Sequence, residues 1–202
     1  LSYGVAVADL NGNNTPEFVV TGFGYPNLAL EVSNGRLSNR LSNSLFSDAP
    51  RKTIGVAACD VDGDGMEEVY FLNTDAYSGE KVLADRLLDF GPEPYDLFEQ
   101  GDNSVNLNLT AGRSVACVDR KGDGQYGIYV SNYGGPSKFY TINGKKIIDE
   151  APELNLDKIT GGRAVVAGHI LSEKMDIFAS NERGPNFLYK NINNKFINVA
   201  KS

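Results

Sequence analysis

At 202 residues the chain is long enough to bury a substantial core in one or two domains. Its formal charge of −7 argues against nucleic acid or anionic membrane as a partner, because cationic contact with phosphate dominates such binding. With 22 glycines, 8 prolines and no apolar run near the roughly 20 residues that cross a bilayer as a helix, a turn-rich chain without a transmembrane segment is expected.

The first predicted hairpin is "YGVAVADLNGNNTPEFVV", two runs of small and β-branched residues about an Asn-rich turn. Asp9, Asn11, Asn13, the Thr15 carbonyl and Glu17 offer oxygen at alternating positions of that turn, and Asn14 stands where a residue tolerant of positive φ is wanted. Amides in place of carboxylates weaken the attraction for a cation. The turn is therefore read as a weaker calcium site, with a plain Asn-rich turn as the competing reading.

The second hairpin is "IGVAACDVDGDGMEEVYF". Asp60, Asp62 and Asp64 stand at positions 1, 3 and 5 of a helix-flanked calcium loop, with Gly65 at position 6, but the closing Glu that such a loop requires at position 12 is replaced by Phe71. The flanks lack a helical period and read as strands, so Glu68 becomes the closing carboxylate of a strand-turn-strand unit. Asp60, Asp62, Asp64 and Glu68, with the Met66 carbonyl, make an all-oxygen set that suits calcium better than magnesium, which demands a near-ideal octahedron. A solvated acidic turn is the alternative. Against it, two carboxylates about 4 Å apart repel by roughly 1 kcal/mol in water and about 4 kcal/mol at an effective dielectric of 20.

In the third hairpin, "RSVACVDRKGDGQYGIYV", Asp119 and Asp123 remain, but Lys121 replaces an inward ligand and Gly127 the closing carboxylate, so no metal is expected. The fourth, "RAVVAGHILSEKMDIFAS", has lost the acidic turn. His169, the one histidine, is read there as structural, since no second nitrogen or sulfur donor accompanies it.

Between the hairpins a second phrase recurs as "GYPNLALEVSNGRL", "GGPSKFYTINGKKI" and "GPNFLYKNINNKF", whose Asn-Gly and Asn-Asn pairs favour type I′ turns. In the second repeat "ADRLLDF", "GPEP" and "YDLFEQ" supply strand, turn and strand more loosely. The chain thus divides into four repeats, roughly 1–50, 51–108, 109–157 and 158–202, each of four short antiparallel strands, with no helix expected. Units of this size read as blades of an all-β propeller in a single domain; a solenoid of hairpins is the alternative, although solenoid repeats are usually shorter.

Arg113 and Arg163 occupy matching points before inner strands, where they could form a charged ring or, in the plainer reading, bond nearby carboxylates and carbonyls. Cys59 lies one residue before Asp60 and Cys117 two before Asp119, so alternation points them to opposite faces, and buried free thiols are expected rather than a disulfide. Two N-x-T sequons occur, at Asn13 and Asn108; Asn108 is the better acceptor, because Asn13 doubles as a proposed ligand and Pro16 follows its Thr.

The acidic turns between strands resemble FG-GAP or VCBS repeats, as found in integrin α-subunit propellers and many secreted proteins. More narrowly, "GVAACDVDGDGMEEVYFLNT", "AGRSVACVDRKGDG" and "GPNFLYKNINNKFINVA" are similar to the cartilage acidic protein family, also described through its ASPIC/UnbV region. The resemblance implies a secreted, matrix or cell-surface interaction protein and a propeller similar to seven-bladed ones. Here only four repeats are present, with neither an ASPIC/UnbV segment nor an EGF-like module, so a fragment of a larger ring or a small closed ring is expected.

Start at Leu1 without a charged and apolar leader fits either a removed signal or transit peptide or a chain trimmed at its start. The expected function is a calcium-binding, extracytoplasmic, non-enzymatic module that meets a protein or glycan partner on a propeller face. Two alternatives remain: an accessory subunit docked on the luminal or periplasmic side of a membrane complex, or a carbohydrate-active enzyme or carbohydrate-binding module. Carboxylate pairs would permit glycoside hydrolysis, but the clustered acids sit in turns.

Overall fold

The computed structural model describes residues 1–41, 44–90 and 93–200. Strands β1 (Val5–Ala8), β2 (Glu17–Val20), β3 (Leu28–Ser33) and β4 (Arg36–Asn39) pair in chain order into a four-stranded sheet. The same order recurs in β5 (Thr53–Cys59), β6 (Glu68–Asn73), β7 (Arg86–Asp89) and β8 (Tyr95–Asp96). It recurs again in β9 (Gly112–Val118), β10 (Gly127–Pro136), β11 (Lys138–Asn143) and β12 (Lys146–Asp149), and lastly in β13 (Ile159–Gly168), β14 (Asp176–Asn181), β15 (Phe187–Ile192) and β16 (Lys195–Asn198). These last two sets merge into one eight-stranded sheet, because the long β10 also pairs with β13 at Tyr133 and Gly161. The all-β expectation of antiparallel hairpins therefore holds.

Turn chemistry accounts for the local connections. Asn34 and Gly35 are both at positive φ, as are Asn193 and Asn194, and each pair forms the two-residue link of a hairpin. In the third set the link is shifted by one residue to Gly144 and Lys145, with only Gly144 at positive φ. In the "GPEP" turn, Gly91 and Pro92 lie outside the described residues. Contrary to expectation, short helical pieces occur: a single α-turn at Ser44–Ser47 and 3-10 turns at Leu97–Glu99 and Asn103–Asn106. The Asp96 carboxylate accepts from the Phe98 N–H, which closes the first 3-10 turn locally.

The inner strands β1, β5, β9 and β13 lie side by side, and an apolar core fills each gap between successive sheets. Alternation lets one strand serve two cores: Val69 and Phe71 of β6 face the first sheet, whereas Tyr70 and Leu72 face the third. Phe18, Val69, Ile128 and Ile177 occupy the same place in the four hairpins. Val69, Ile128 and Ile177 are 0% exposed; Phe18, on the outer side of the first sheet, is 40% exposed. At the other end Val166 and Ile197 of the fourth sheet are 56% and 52% exposed. Both ends of the stack thus present apolar faces of the kind that the internal sheets bury.

Stacking also overturns the expectation of free thiols. Cys59 and Cys117 form a disulfide, with Cα atoms 6.3 Å apart, joining the ends of β5 and β9. Their side chains do leave opposite faces, but facing sheets present opposite faces to one another, so the alternation that seemed to separate them brings them together.

The favoured sequon is corrected too. Asn108 is 0% exposed, and its Nδ2 donates to Asp85 Oδ2 at 2.6 Å and Asn132 Oδ1 at 3.0 Å, which leaves no room for a glycan. Asp85 also accepts from Tyr70 Oη and pairs with Lys81, whose side chain is wholly buried. Desolvation lowers the Lys81 pKa, opposed by the Asp85 charge.

Candidate metal centre

Tight turning of the second hairpin is made possible by Gly63 and Gly65, at φ 85 and 89, where a side chain would be strained. Asp60 sits at the centre of the turn, accepting from the Gly63 N–H at 2.6 Å and the Gly65 N–H at 3.0 Å. Asp62 and Asp64 each accept from the N–H two residues on. Glu68 opens β6 opposite Cys59, which points its carboxylate back under the turn.

Asp60, Asp62 and Glu68 each offer an oxygen, and these atoms lie within 4.8 Å of one another. Among the described residues this is the one group of three or more metal-ligating side chains of acidic, thiol or imidazole type. Glu68 is 1% exposed: its Oε2 accepts from the Val61 N–H at 2.6 Å, while Oε1 is buried with no hydrogen-bond partner among the described residues. Burial is the largest influence on this group, followed by opposition from the Val61 hydrogen bond and by the charges of Asp62, Asp89 and Asp60; together they push its pKa up to about 8. Burial likewise raises the pKa of Asp62.

Asp64 lies outside the group of three, with one oxygen turned to the Met66 N–H at 2.8 Å. Asp89, at the end of β7, was missed in the sequence: it lies 21 positions beyond Glu68 and approaches only because β6 and β7 pair, Val69 opposite Leu88. It accepts from Tyr95 Oη at 2.5 Å.

The first turn has the same frame with a different filling. Asp9 accepts from the Asn13 N–H at 3.1 Å and the Asn14 N–H at 2.6 Å, Asn14 standing at φ 63 as its position requires, and the Asn13 Oδ1 accepts from the Thr15 N–H at 2.7 Å. Glu17 is as buried as Glu68, but both its oxygens are satisfied, one by the Leu10 N–H at 3.1 Å and the other by Asn11 Nδ2 at 2.7 Å. Here an amide supplies from within the chain what Glu68 Oε1 lacks.

In the third turn Asp119 gathers the Gly122, Asp123 and Gly124 N–H groups in the same way. A Cβ on Gly127 would stand 2.5 Å from the Phe139 ring, so an aromatic ring fills the space that the closing carboxylate occupies elsewhere. The fourth turn keeps more of the frame than its sequence suggests. Asp176 opens β14 opposite Gly168, at the closing position, and accepts from the Leu171 and Ser172 N–H groups, the Ser172 hydroxyl and the Asn191 N–H. His169 is exposed on that turn and belongs to no group of metal-ligating side chains among the described residues.

Arg113 and Arg163 follow the plainer reading in part. Both donate to carbonyls, of Gly112 and Gly162 respectively, and Arg163 also pairs with Glu182.

This architecture is that of a repeat protein with acidic inter-strand turns, and residues 2–71 match the FG-GAP-like repeat family. The whole chain is similar to cartilage acidic protein 1, with 41% identity to the protein of Xenopus tropicalis and 40% to those of Mus musculus and Homo sapiens. In each case the match spans 100% of this chain and 35% of the relative, so the chain covers about a third of their length. Among solved structures, BBS1N from a crystal structure of its complex with ARL6DN, soaked with lead, superposes with a TM-score of 0.57 at 11% identity, covering 96% of this chain and 52% of that one. At that identity the likeness concerns the fold alone.

Proposed function

We propose that the chain forms four blades of a calcium-stabilised β-propeller that acts outside the cytoplasm as a non-enzymatic protein-interaction module. The observation that carries the calcium reading is Glu68 Oε1, buried and unpartnered beside two further carboxylates. A hard cation would satisfy that oxygen and offset the mutual repulsion, and an irregular all-oxygen turn suits calcium. Asp60, Asp62 and Glu68 would hold it, with Asp64 and the Met66 carbonyl completing the shell. Asp9, Asn11, Asn13, the Thr15 carbonyl and Glu17 would make a weaker second site, because binding there must first displace the Asn11 amide from Glu17.

The four matching sets of four antiparallel strands support the blade reading, and the exposed faces at the two ends of the stack support an open arc completed by further blades. Greater length of the relatives and half-coverage of the superposed structure agree with this. The disulfide favours an oxidising compartment, and the relatives' name suggests a matrix setting. The same bare faces favour, as a second reading, a subunit docked in a larger assembly. Sedimentation separates the two: a monodisperse chain supports the free module, and one that precipitates without companions supports the subunit.

Calorimetric titration of the chelator-treated chain with calcium tests the centre. One tighter site, a weaker second one and a rise in melting temperature are expected, and Asp62→Ala should remove most of that rise. Absence of binding at millimolar calcium would refute the site.

A further inference from the structure

Four residues share one position relative to the ends of the inner strands, each five positions ahead of the strand's last residue: Tyr3, just before β1, and Ile54, Arg113 and Arg163, within β5, β9 and β13. Their side chains line a single cleft of 660 Å³, together with Phe23, Lys52 and Tyr77. The cleft lies at the start of the inner strands, whereas the acidic turns follow their ends, so the two sites occupy opposite sides of the molecule.

Its walls are apolar and ordered: Tyr3 packs edge to face on Phe23 at 5.2 Å between centroids, and Tyr77 packs against Tyr133 at 5.3 Å. Its charges are mainly positive. Arg113 and Arg163 both stand over the Tyr133 ring, at 5.3 and 4.9 Å, and the Lys52 ammonium lies 5.8 Å from the Phe23 centroid. Arg163 pairs with Glu182, whereas among the described residues Arg113 donates only to the Thr74 hydroxyl and the Gly112 and Tyr77 carbonyls, and Lys52 makes no ion pair. Asp75 also lines the cleft, with its carboxylate engaged by the Val82 and Leu83 N–H groups. Three cations thus face two carboxylates in a chain whose overall charge is −7. Of the five N–H donors of a guanidinium, Arg113 uses three, and two remain for a ligand.

We propose that this cleft binds an acidic peptide segment of a partner protein, in which aspartate or glutamate neighbours an aromatic or aliphatic side chain. The carboxylate would meet Lys52 and Arg113, and the apolar neighbour would lie against Tyr3, Phe23 and Ile54. A guanidinium fork matches a carboxylate, and apolar walls reward an apolar side chain, which a sulfated saccharide does not carry. The proposal deepens the interaction-module reading and rests on it.

The test is fluorescence anisotropy of the intact chain with a dye-labelled peptide of alternating Glu and Phe, a Lys-for-Glu counterpart, and a sulfated heparin oligosaccharide. The acidic peptide should bind, more weakly as salt rises, and the basic one should not. Lys52→Glu, which alters an exposed side chain over Phe23, should weaken binding about tenfold, and Arg113→Gln should do likewise. The calcium-induced rise in melting temperature should be unchanged in the Lys52 variant, which shows that it is folded. Undiminished binding in both variants overturns the cleft as the site, and binding of the oligosaccharide in place of the peptide overturns the ligand class. Loss of the calcium response in the unmutated chain would instead count against the metal centre and leave this result standing.

Discussion

Withdrawing calcium and raising the pH should destabilise the protein through a single carboxyl group. In the unfolded chain Glu68 loses its proton near 4.5; in the folded, metal-free protein it does so near 8. Between these values the folded state holds the extra proton, so stability falls as pH rises. The slope is at most about 1.4 kcal/mol per pH unit, which over the whole window sums to roughly 5 kcal/mol. Asp60 and Asp62 are only partly buried, so water can enter the turn and relax it, and a loss of about 2–3 kcal/mol is expected. Calcium bound as proposed would take the proton's place and should therefore bind more tightly as pH rises, offsetting the loss. The measurement is urea unfolding from about pH 5 to pH 8, in chelator and in millimolar calcium, of the unmutated chain and Glu68→Gln. The amide keeps the shape of the group without its titration, so the difference between the two proteins isolates this carboxyl. Parallel curves in chelator, or equal stabilisation of both proteins by calcium, would refute the reasoning.

Three further outcomes are expected. Replacing both cysteines by serine should cost about 2–4 kcal/mol in denaturant unfolding, since the bridge closes a loop across 58 positions; an unchanged midpoint would contradict its role in joining the second and third sheets. Asp85→Ala, which strands the buried Lys81 ammonium, should cost roughly 3–5 kcal/mol, whereas changing Lys81 and Asp85 together to apolar residues should cost less, as a double-mutant cycle would show. Gly127→Glu should create no third calcium site and should destabilise by about 1–3 kcal/mol, because its Cβ meets the Phe139 ring; a gain of calcium binding in calorimetry would argue otherwise.

Much of the frame was legible in the chain itself, because it rests on short-range physics. Alternation of apolar residues, glycines at Gly63 and Gly65 and the Asn193–Asn194 pair dictate hairpins within a few residues, whatever the sheets do afterwards. The arrangement of Asp60, Asp62 and Glu68 was readable for the same reason, being built on one such hairpin. Stacking decided the rest. Which faces of β5 and β9 meet determines that Cys59 and Cys117 bond, and pairing of β6 with β7 brings Asp89 to Glu68. Burial between the second and third sheets turns Asn108 from an apparent glycan acceptor into a hydrogen-bonding post, and four inner strands side by side gather Tyr3, Ile54, Arg113 and Arg163 into one cleft. These relations join residues tens of positions apart through the packing of whole sheets, and no local pattern of side chains encodes which face a sheet will present to its neighbour.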